Sequence, residues 1–245
     1  MQKEILVLAK SCKTGGYCVG GIELVLGDDG RKYLSNNWIR PVTVTEDGQH
    51  QGCLDKHLCS GFSVFDIVEI NAVPAEYIPG QPENWLLQDT RIRKVTTLSQ
   101  FDVINMLAQQ AGSIWSDDRT FRDDQVSPAA VASAEQQRSL MVIQPESLTF
   151  TLEVEQKSYG LRKRVSASFT HADQFYSNIR VTDPAVTKVF CNQFPTAPGV
   201  QYHKQLRNRD RYWMTLSLSP EFRGNHYVLA AGILDHSGYL NRNYG

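Results

Sequence analysis

The sequence of 245 residues lacks several features that would point to a particular class of protein. No apolar run approaches the roughly 18 residues needed to span a bilayer, and the N-terminal residues lack the apolar core and cleavage site of a signal peptide. Cysteines number only five, and an odd number favours reduced thiols over a disulfide framework. Together these absences predict a cytoplasmic protein with no membrane partner.

Motifs that carry catalysis or hold a cofactor are also missing. The chain contains no Gly-x-Ser-x-Gly, no Gly-x-x-x-x-Gly-Lys and no Gly-x-Gly-x-x-Gly after a strand. We therefore assign no catalytic residue and no cofactor. A pairing of cysteine or serine with one of the six histidines depends on the fold, so an enzyme stays open as an alternative.

Two groups of residues have the chemistry of metal ligands but not the usual spacing. Cys12 and Cys18 share a five-residue gap with Cys53 and Cys59, and His57 lies inside the second pair. Structural zinc sites usually space paired ligands by two to four residues, so free thiols are expected and zinc is the alternative. The other group is acidic and interrupted by arginines, as in a solvated loop: Asp117, Asp118, Arg119, Arg122, Asp123 and Asp124.

The net charge of −1 hides an uneven distribution along the chain. Residues 1–155 have a balance of −8, whereas residues 156–245, here called the basic segment, have a balance of +7. A basic part of a near-neutral chain favours a localised face for an anionic partner. The alternative is that the two parts attract each other across an internal interface.

Periodicity predicts a mainly β chain with a few helices. Short alternating runs between turn residues, about ten residues apart, are typical of small barrels or sandwiches. A Ser99/Asp102 pair predicts a helix that ends at Gly112, Ser127-Pro128 predicts a second helix, and a third is expected over 185–194. We predict two small barrels, at 1–96 and 139–245, joined by a helical segment at 97–138.

The clearest hairpin lies at the start of the basic segment, from Leu161 to Pro184. An alternating run follows Arg162, Lys163 and Arg164, turns at His171-Ala172-Asp173 and returns through Phe175 to Val181. Small barrels bind single strands with a basic groove and aromatic platforms, each stacked base contributing roughly 1 to 3 kcal/mol. The predicted nucleic-acid-binding residues are Arg162, Lys163, Arg164, Arg180, Lys204, Arg207, Arg209, Arg211, Tyr176 and Tyr202. The alternative is that the aromatic rings fill the core and the arginines only solvate the surface.

A second candidate site is the glycine-rich loop near the N-terminus. Its backbone amides and cations could hold an anion, although a plain connection between strands is the simpler interpretation. The residues of this candidate anion loop are Lys10, Lys13, Gly15, Gly16 and Arg40.

Several stretches match the motifs of a known family. In the first half they are Lys10-Ser11 with residues 16–22, Trp38-Ile39-Arg40-Pro41-Val42, residues 66–70 and Gln81-Pro82-Glu83-Asn84-Trp85; in the second half they are residues 176–184, which end in Val181-Thr182-Asp183-Pro184, and Ser217-Leu218 with residues 227–231. Because Trp-Ile-Arg-Pro followed by Gln-Pro-Glu-Asn is uncommon, the chain resembles the bacterial family of proteins with dual OB domains. Thr43 stands where the family usually has serine.

The resemblance implies two OB-type barrels that bind or sense nucleic acid, often encoded in loci concerned with phage defence. It brings no catalytic residue to this chain. The leading hypothesis is a cytoplasmic nucleic-acid-binding protein without catalysis of its own, with single strands favoured. Two alternatives stay open: a subunit that docks on a partner enzyme from the same locus through exposed residues such as Trp38 and Trp85, and a nucleic-acid-processing enzyme that uses the acidic loop or a Cys–His pair.

Overall fold

The computed structural model describes residues 1–13, 15–44, 50–51, 53–76, 78, 80–107, 114–115, 123–133, 138–194, 197–199, 201–205 and 212–235. Strands dominate this part of the chain, as predicted. Among the helices it contains, none has the length and apolar character needed to cross a membrane.

The first half of the chain forms a closed barrel of five long strands. Its sheet contains β1 (Gln2–Lys13), β2 (Gly16–Leu26), β3 (Lys32–Val44), β4 (His50–Gln51), β5 (Leu54–Asp55), β6 (Asp66–Pro74) and β7 (Asn84–Thr97). β1 pairs antiparallel with β2 and β6, and β3 pairs antiparallel with β2 but parallel with β7, which closes the ring through β6. This ring is the five-stranded Greek-key barrel of the OB fold.

A helical connection links this barrel to the second sheet. It contains α1 (Gln100–Leu107), β8 (Gln125–Val126) and α2 (Pro128–Ser133). The predicted caps are confirmed: Ser99 Oγ accepts from the Asp102 amide at 3.1 Å, and Ser127 Oγ accepts from the Ala130 amide at 3.2 Å. Gly112, the predicted end of the first helix, lies outside the described residues.

The second sheet has the same order of long strands. It contains β9 (Leu140–Ile143), β10 (Ser147–Lys157), β11 (Gly160–His171), β12 (Gln174–Val181), β13 (Gln201–Gln205), β14 (Tyr212–Leu218) and β15 (His226–Asp235), with α3 (Pro184–Gln193) after β12. Pro145 lies between β9 and β10 and separates them, because it has no N–H to donate. When β9 and β10 are counted as one first strand, the ring runs through β11, β12, β15 and β14, again with a parallel contact between its third and fifth strands. The predicted fold class of two OB-type barrels is confirmed.

The predicted hairpin is formed by β11 and β12. Its two-residue loop, Ala172-Asp173, has φ angles of 50° and 61°, as a type I′ turn requires. Asp183 then caps α3, because its Oδ1 accepts from the amides of Ala185 and Val186, with Pro184 in the first turn. The helix expected over 185–194 is therefore present as α3 and begins directly after the hairpin.

The two barrels share part of their hydrophobic core. Side chains of Leu140, Val142, Trp213 and Leu234 belong to the core cluster of the first barrel although their strands belong to the second. A bulge in β1 at Leu8 turns the carbonyl of that residue towards the second barrel, where the Thr215 hydroxyl donates to it at 2.9 Å. The domain boundaries at 96 and 138 stay a prediction.

Candidate nucleic-acid interface

The basic cluster of β11 points to both sides of its strand. Arg162 and Arg164 alternate with Lys163 and Val165, and Val165 is buried in the core. Lys163 therefore lies on the core side, where its Nζ donates to the Cys191 carbonyl at 3.4 Å, in the last turn of α3. Because a cation near a helix C-terminus is favourable, Lys163 stabilises α3, and the outward cations of the cluster are the two arginines.

Arg180 of β12 completes a group of three guanidinium groups, here called the basic triad: Arg162, Arg164 and Arg180. Arg180 pairs with Ser166, two residues from Arg164 along β11. Burial and the positive charges of Arg162 and Arg164 lower the pKa of Arg180. In addition, Nε of Arg164 is buried and has no hydrogen-bond partner in the part of the chain that the structure describes. The triad thus combines mutual repulsion with an unused donor.

Two carboxylates lie beside the triad and offset part of its charge. Glu153 and Glu155 of β10 pair with Arg164 and Arg162 across the sheet. A hydrogen bond and the charge of Lys157, together with the two arginines, lower the pKa of Glu155. The outward face of the second barrel is therefore basic at the triad but not uniformly so.

The aromatic residues selected from the sequence are largely part of the core. Tyr176 is 8% exposed and stacks on Phe169 at a centroid distance of 5.3 Å. Tyr202 packs on the core and stacks on Phe194 at 5.2 Å. For these two positions the structure corrects the expectation of open platforms, because each ring already stacks on another. Strict alternation along β12 would place Tyr176 on the same side as Arg180. A bulge near Ser177 turns Tyr176 to the core side instead.

Other aromatic rings of the second barrel are open to solvent. Phe175 is 61% exposed and lies on the outward side of β12, as Arg180 does. Tyr159, in the turn between β10 and β11, and Phe222, in the connection from β14 to β15, are also exposed. Arg223 lies over the Phe222 ring at 5.2 Å. Loops in these positions contact oligonucleotides in OB folds.

Among the remaining predicted cations of the basic segment, Lys204 lies in the described part of the chain. Lys204 of β13 donates to the Gln193 side chain at 3.1 Å, and its Nζ lies over the Phe190 ring at 5.7 Å. Arg207, Arg209 and Arg211 lie outside the described residues.

The candidate anion loop does not form a single cradle. Lys10 donates to the carbonyls of Cys59 and Phe62, both at 2.7 Å, so its ammonium group already has partners. Burial lowers its pKa. A Cβ at Gly16 would collide with the Leu54 carbonyl, which explains the glycine by close packing. The Lys13 side chain lies outside the described part, and only Gly15 and Arg40 line a cavity.

This cavity lies between the two barrels and has a volume of about 490 Å³. It is bounded by the β1–β2 and β6–β7 connections of the first barrel and by β12 and the β14–β15 connection of the second. Its described lining contains three cations and no carboxylate. The lining residues are Ser11, Cys12, Gly15, Cys18, Arg40, Lys56, Gln81, Arg180, Thr182, Leu229 and those at 217–220.

Arg40 connects the cavity to a buried hydrogen-bond network between the barrels. It is 3% exposed, and its Nη2 donates to the hydroxyls of Ser139, at 2.9 Å, and Ser217, at 3.2 Å. Glu83 accepts from the hydroxyl and amide of Ser139 and from the amide of Leu140. Burial lowers the pKa of Arg40, while the Glu83 charge acts in the opposite direction.

The motifs found in the sequence therefore converge on the contact between the barrels. Arg40 belongs to Trp-Ile-Arg-Pro, Glu83 belongs to Gln-Pro-Glu-Asn, and the carbonyl of Thr182, in Val-Thr-Asp-Pro, accepts from the Cys12 amide at 3.0 Å. The model of the dual OB-containing domain family matches residues 3–233. The chain belongs to that family. A search of curated proteins found no match.

Charge attraction between residues 1–155 and the basic segment is found inside the second barrel, where Lys157 pairs with Glu155 at 2.9 Å. The ion pairs identified among the described residues each join two residues of the same barrel. Hydrogen bonds and apolar packing make the described contacts between the barrels instead. The two tryptophans named for docking do not form an exposed surface, since Trp38 is 7% exposed within the core and Trp85 packs against it.

The thiols and acidic residues do not form a recognisable catalytic or metal site among the described residues. Cys18 Sγ and Cys53 Sγ lie 3.5 Å apart, and burial raises the pKa of Cys59 to about 11. Asp123 accepts from the Ser177 amide at 2.7 Å and its hydroxyl at 2.8 Å, so it anchors β12. Asp117, Asp118, Arg119 and Arg122 lie outside the described part.

Several residues of the cavity have no recognisable signal in the sequence. Lys56 lies in a polar turn and Ser219 in a loop, and neither belongs to a motif. Their placement follows from the packing of one barrel on the other, for which the local sequence has no signal. Arg40, in contrast, is predicted as part of the candidate anion loop, and an arginine inside an apolar strand needs buried partners.

Proposed function

We propose that the protein binds single-stranded nucleic acid on the outward face of β11 and β12, with the phosphates of the strand against the basic triad. The observation that carries this proposal is the crowding of three guanidinium groups on these strands. β11 and β12 are the second and third strands of the ring, and the corresponding face binds oligonucleotides in OB folds.

The electrostatics of the triad favour an anion. Burial and the like charges of Arg162 and Arg164 lower the pKa of Arg180, so its positive charge is disfavoured on the unbound face. A phosphate at the triad would reduce this repulsion. Arginine is well suited to this role because its planar fork of donors matches phosphate oxygens.

Exposed aromatic rings favour single strands over duplexes. Phe175 lies five residues from Arg180 along β12, a distance of about 17 Å at the usual strand rise. Unpaired bases have free faces that stack on such rings, each contributing roughly 1 to 3 kcal/mol. Tyr159 and Phe222 extend the set of exposed rings into the neighbouring loops.

The proposal is tested by reversing the charge of the triad. We expect Arg162→Glu/Arg164→Glu to weaken binding of a labelled single-stranded oligonucleotide at least tenfold, which corresponds to about 1.4 kcal/mol. Arg31→Glu/Arg91→Glu is the matched control, because it makes the same change in net charge at exposed sites of the first barrel. Equal loss in both variants, or no binding by the wild type at low salt, contradicts the proposal.

The neighbouring carboxylates offer a change in the opposite direction. Glu153→Gln/Glu155→Gln removes two negative charges next to Arg164 and Arg162. We expect affinity for the same oligonucleotide to rise severalfold, in an anisotropy titration at low ionic strength. Unchanged or weaker binding would mean that the strand does not pass this part of β10.

Cytoplasmic location stays a prediction from the sequence, and bacterial origin and a role in phage defence stay predictions that the family resemblance suggests. A partner protein from the same locus is likewise a prediction.

A further inference from the structure

Arg40 has hydrogen-bond donors that the barrels do not use. A guanidinium group carries five N–H bonds. Among the described residues, only the hydroxyls of Ser139 and Ser217 accept from the Arg40 side chain, and both do so from Nη2. Nε and Nη1 have no described protein acceptor, although the residue is 3% exposed and lines the cavity.

The surroundings of Nε and Nη1 favour an anion with several oxygens. Lys56 and Arg180 are exposed residues of the same cavity, and Gly15 belongs to the β1–β2 connection on its wall. Glu83, the carboxylate that acts on Arg40, is held by Ser139 and Leu140 and is not part of the described lining. An anion in the cavity would thus meet three cations and no described negative charge.

We propose that the cavity binds a phosphomonoester at the end of a nucleic-acid strand, with the phosphate among Arg40, Lys56 and Arg180. This proposal rests on the proposed function, because the same strand continues from the cavity to the triad through Arg180. Charge-assisted hydrogen bonds from arginine to phosphate oxygens are short and strong.

The shape of the cavity selects a strand end over an internal phosphate. Its volume of about 490 Å³ is that of a small-ligand site. The polar network of Ser139 and Ser217 lies behind Arg40, and a continuous backbone would have to enter and leave past it. A terminal phosphate also carries more charge than an internal diester, about −1.5 to −2 at neutral pH.

The test compares one oligonucleotide with a 5′-phosphate, a 3′-phosphate or no terminal phosphate. We expect one phosphorylated form to bind the wild type at least tenfold more tightly than the unphosphorylated form. Cys12→Asp places a carboxylate on the cavity wall and should remove this difference, whereas the neutral Cys12→Asn should keep it. The Cys12 side chain is exposed, and its backbone bond to Thr182 survives both changes.

The outcomes separate this inference from the proposed function. Equal affinity for all three forms overturns the cavity assignment, while binding that is sensitive to Arg162→Glu/Arg164→Glu leaves the proposed function intact. Loss of all oligonucleotide binding contradicts the proposed function, and titration with adenosine monophosphate then tests the cavity alone. A saturable rise in melting temperature in the wild type and Cys12→Asn, but not in Cys12→Asp, assigns the cavity to a free nucleotide; no rise overturns the inference.

Discussion

Replacement of Glu83 by glutamine should loosen the contact between the two barrels. The carboxylate accepts three hydrogen bonds from the second barrel, two from Ser139 and one from Leu140. The Ser139 hydroxyl also accepts from Arg40, so it links the two buried charges. Glu83→Gln replaces one acceptor by an NH₂ group that faces donors, and it leaves the charge of Arg40 without its counterpart.

The expected cost follows from the burial of both groups. Breaking a buried charge pair from one side costs about 3 to 5 kcal/mol. For a domain of this size, a loss of about 3 kcal/mol lowers the melting temperature by roughly 6 to 12 °C. Calorimetry or urea denaturation of the intact chain measures it. The control is Glu69→Gln, which breaks an exposed, solvent-screened pair with Arg93 and should have a much smaller effect.

A double-mutant cycle identifies the cause. Arg40→Gln/Glu83→Gln should cost less than the sum of the two single changes, because neither charge is then left alone in the interface. A cost below about 1 kcal/mol for Glu83→Gln, or strict additivity in the cycle, would refute the idea that these motif residues stabilise the contact between the barrels.

Three further changes test other parts of the fold. Burial outweighs three backbone hydrogen bonds and raises the pKa of Asp183 to about 7. The free energy of unfolding should therefore fall as pH rises from about 4 to 7, because the folded state binds the proton more tightly than the unfolded state. The fall should be about 4 kcal/mol larger in the wild type than in Asp183→Asn. Equal pH profiles would contradict this assignment. Ala172→Gly should raise the unfolding free energy by about 1 kcal/mol, since Ala172 has a φ of 50°; a loss of stability in urea denaturation would count against the turn. Gly232→Ala should destabilise by about 3 kcal/mol, because its Cβ would collide with the Leu8 carbonyl; a melting curve that matches that of Gly61→Ala, where space is open, would exclude this contact.

The features that the sequence predicted well depend on neighbours along the chain. Alternation and a polar turn identified the β11–β12 hairpin, and the side chains of Ser99 and Ser127 identified helix starts. These signals are local, because a strand shows its two faces at every second residue and a cap needs only the next turn. The local sequence determines the ends of elements less well than their type. Thr97, the first residue of the predicted helical segment, is the last residue of β7.

The features that the sequence missed depend on packing between distant parts. Trp38 is a large aromatic residue of the kind enriched at protein interfaces, yet it is buried in the core of the first barrel. The Gln-Pro-Glu-Asn motif identified the family, but its contact with Ser139 required the second barrel to be in place. Alternation along β11 separates Lys163 from Arg162, but the contact of Lys163 with the Cys191 carbonyl depends on the position of α3.

The arrangement of the motifs suggests why two barrels occur together. Arg40 contributes to the contact between the barrels and to the wall of the cavity beside it. Arg180 belongs to the same cavity and to the basic triad. The contact between the barrels therefore brings cations from both halves of the chain to one cavity, a combination that neither barrel has alone.

The salt dependence of oligonucleotide binding tests the central claim most directly. If a single strand contacts the three cations of the triad, the logarithm of affinity should fall with the logarithm of salt concentration with a slope of about −2 or steeper. Arg162→Glu/Arg164→Glu should make the slope shallower by about 1.4, whereas Arg31→Glu/Arg91→Glu should leave it unchanged. A slope near zero, or the same slope in all three proteins, would contradict binding at the triad.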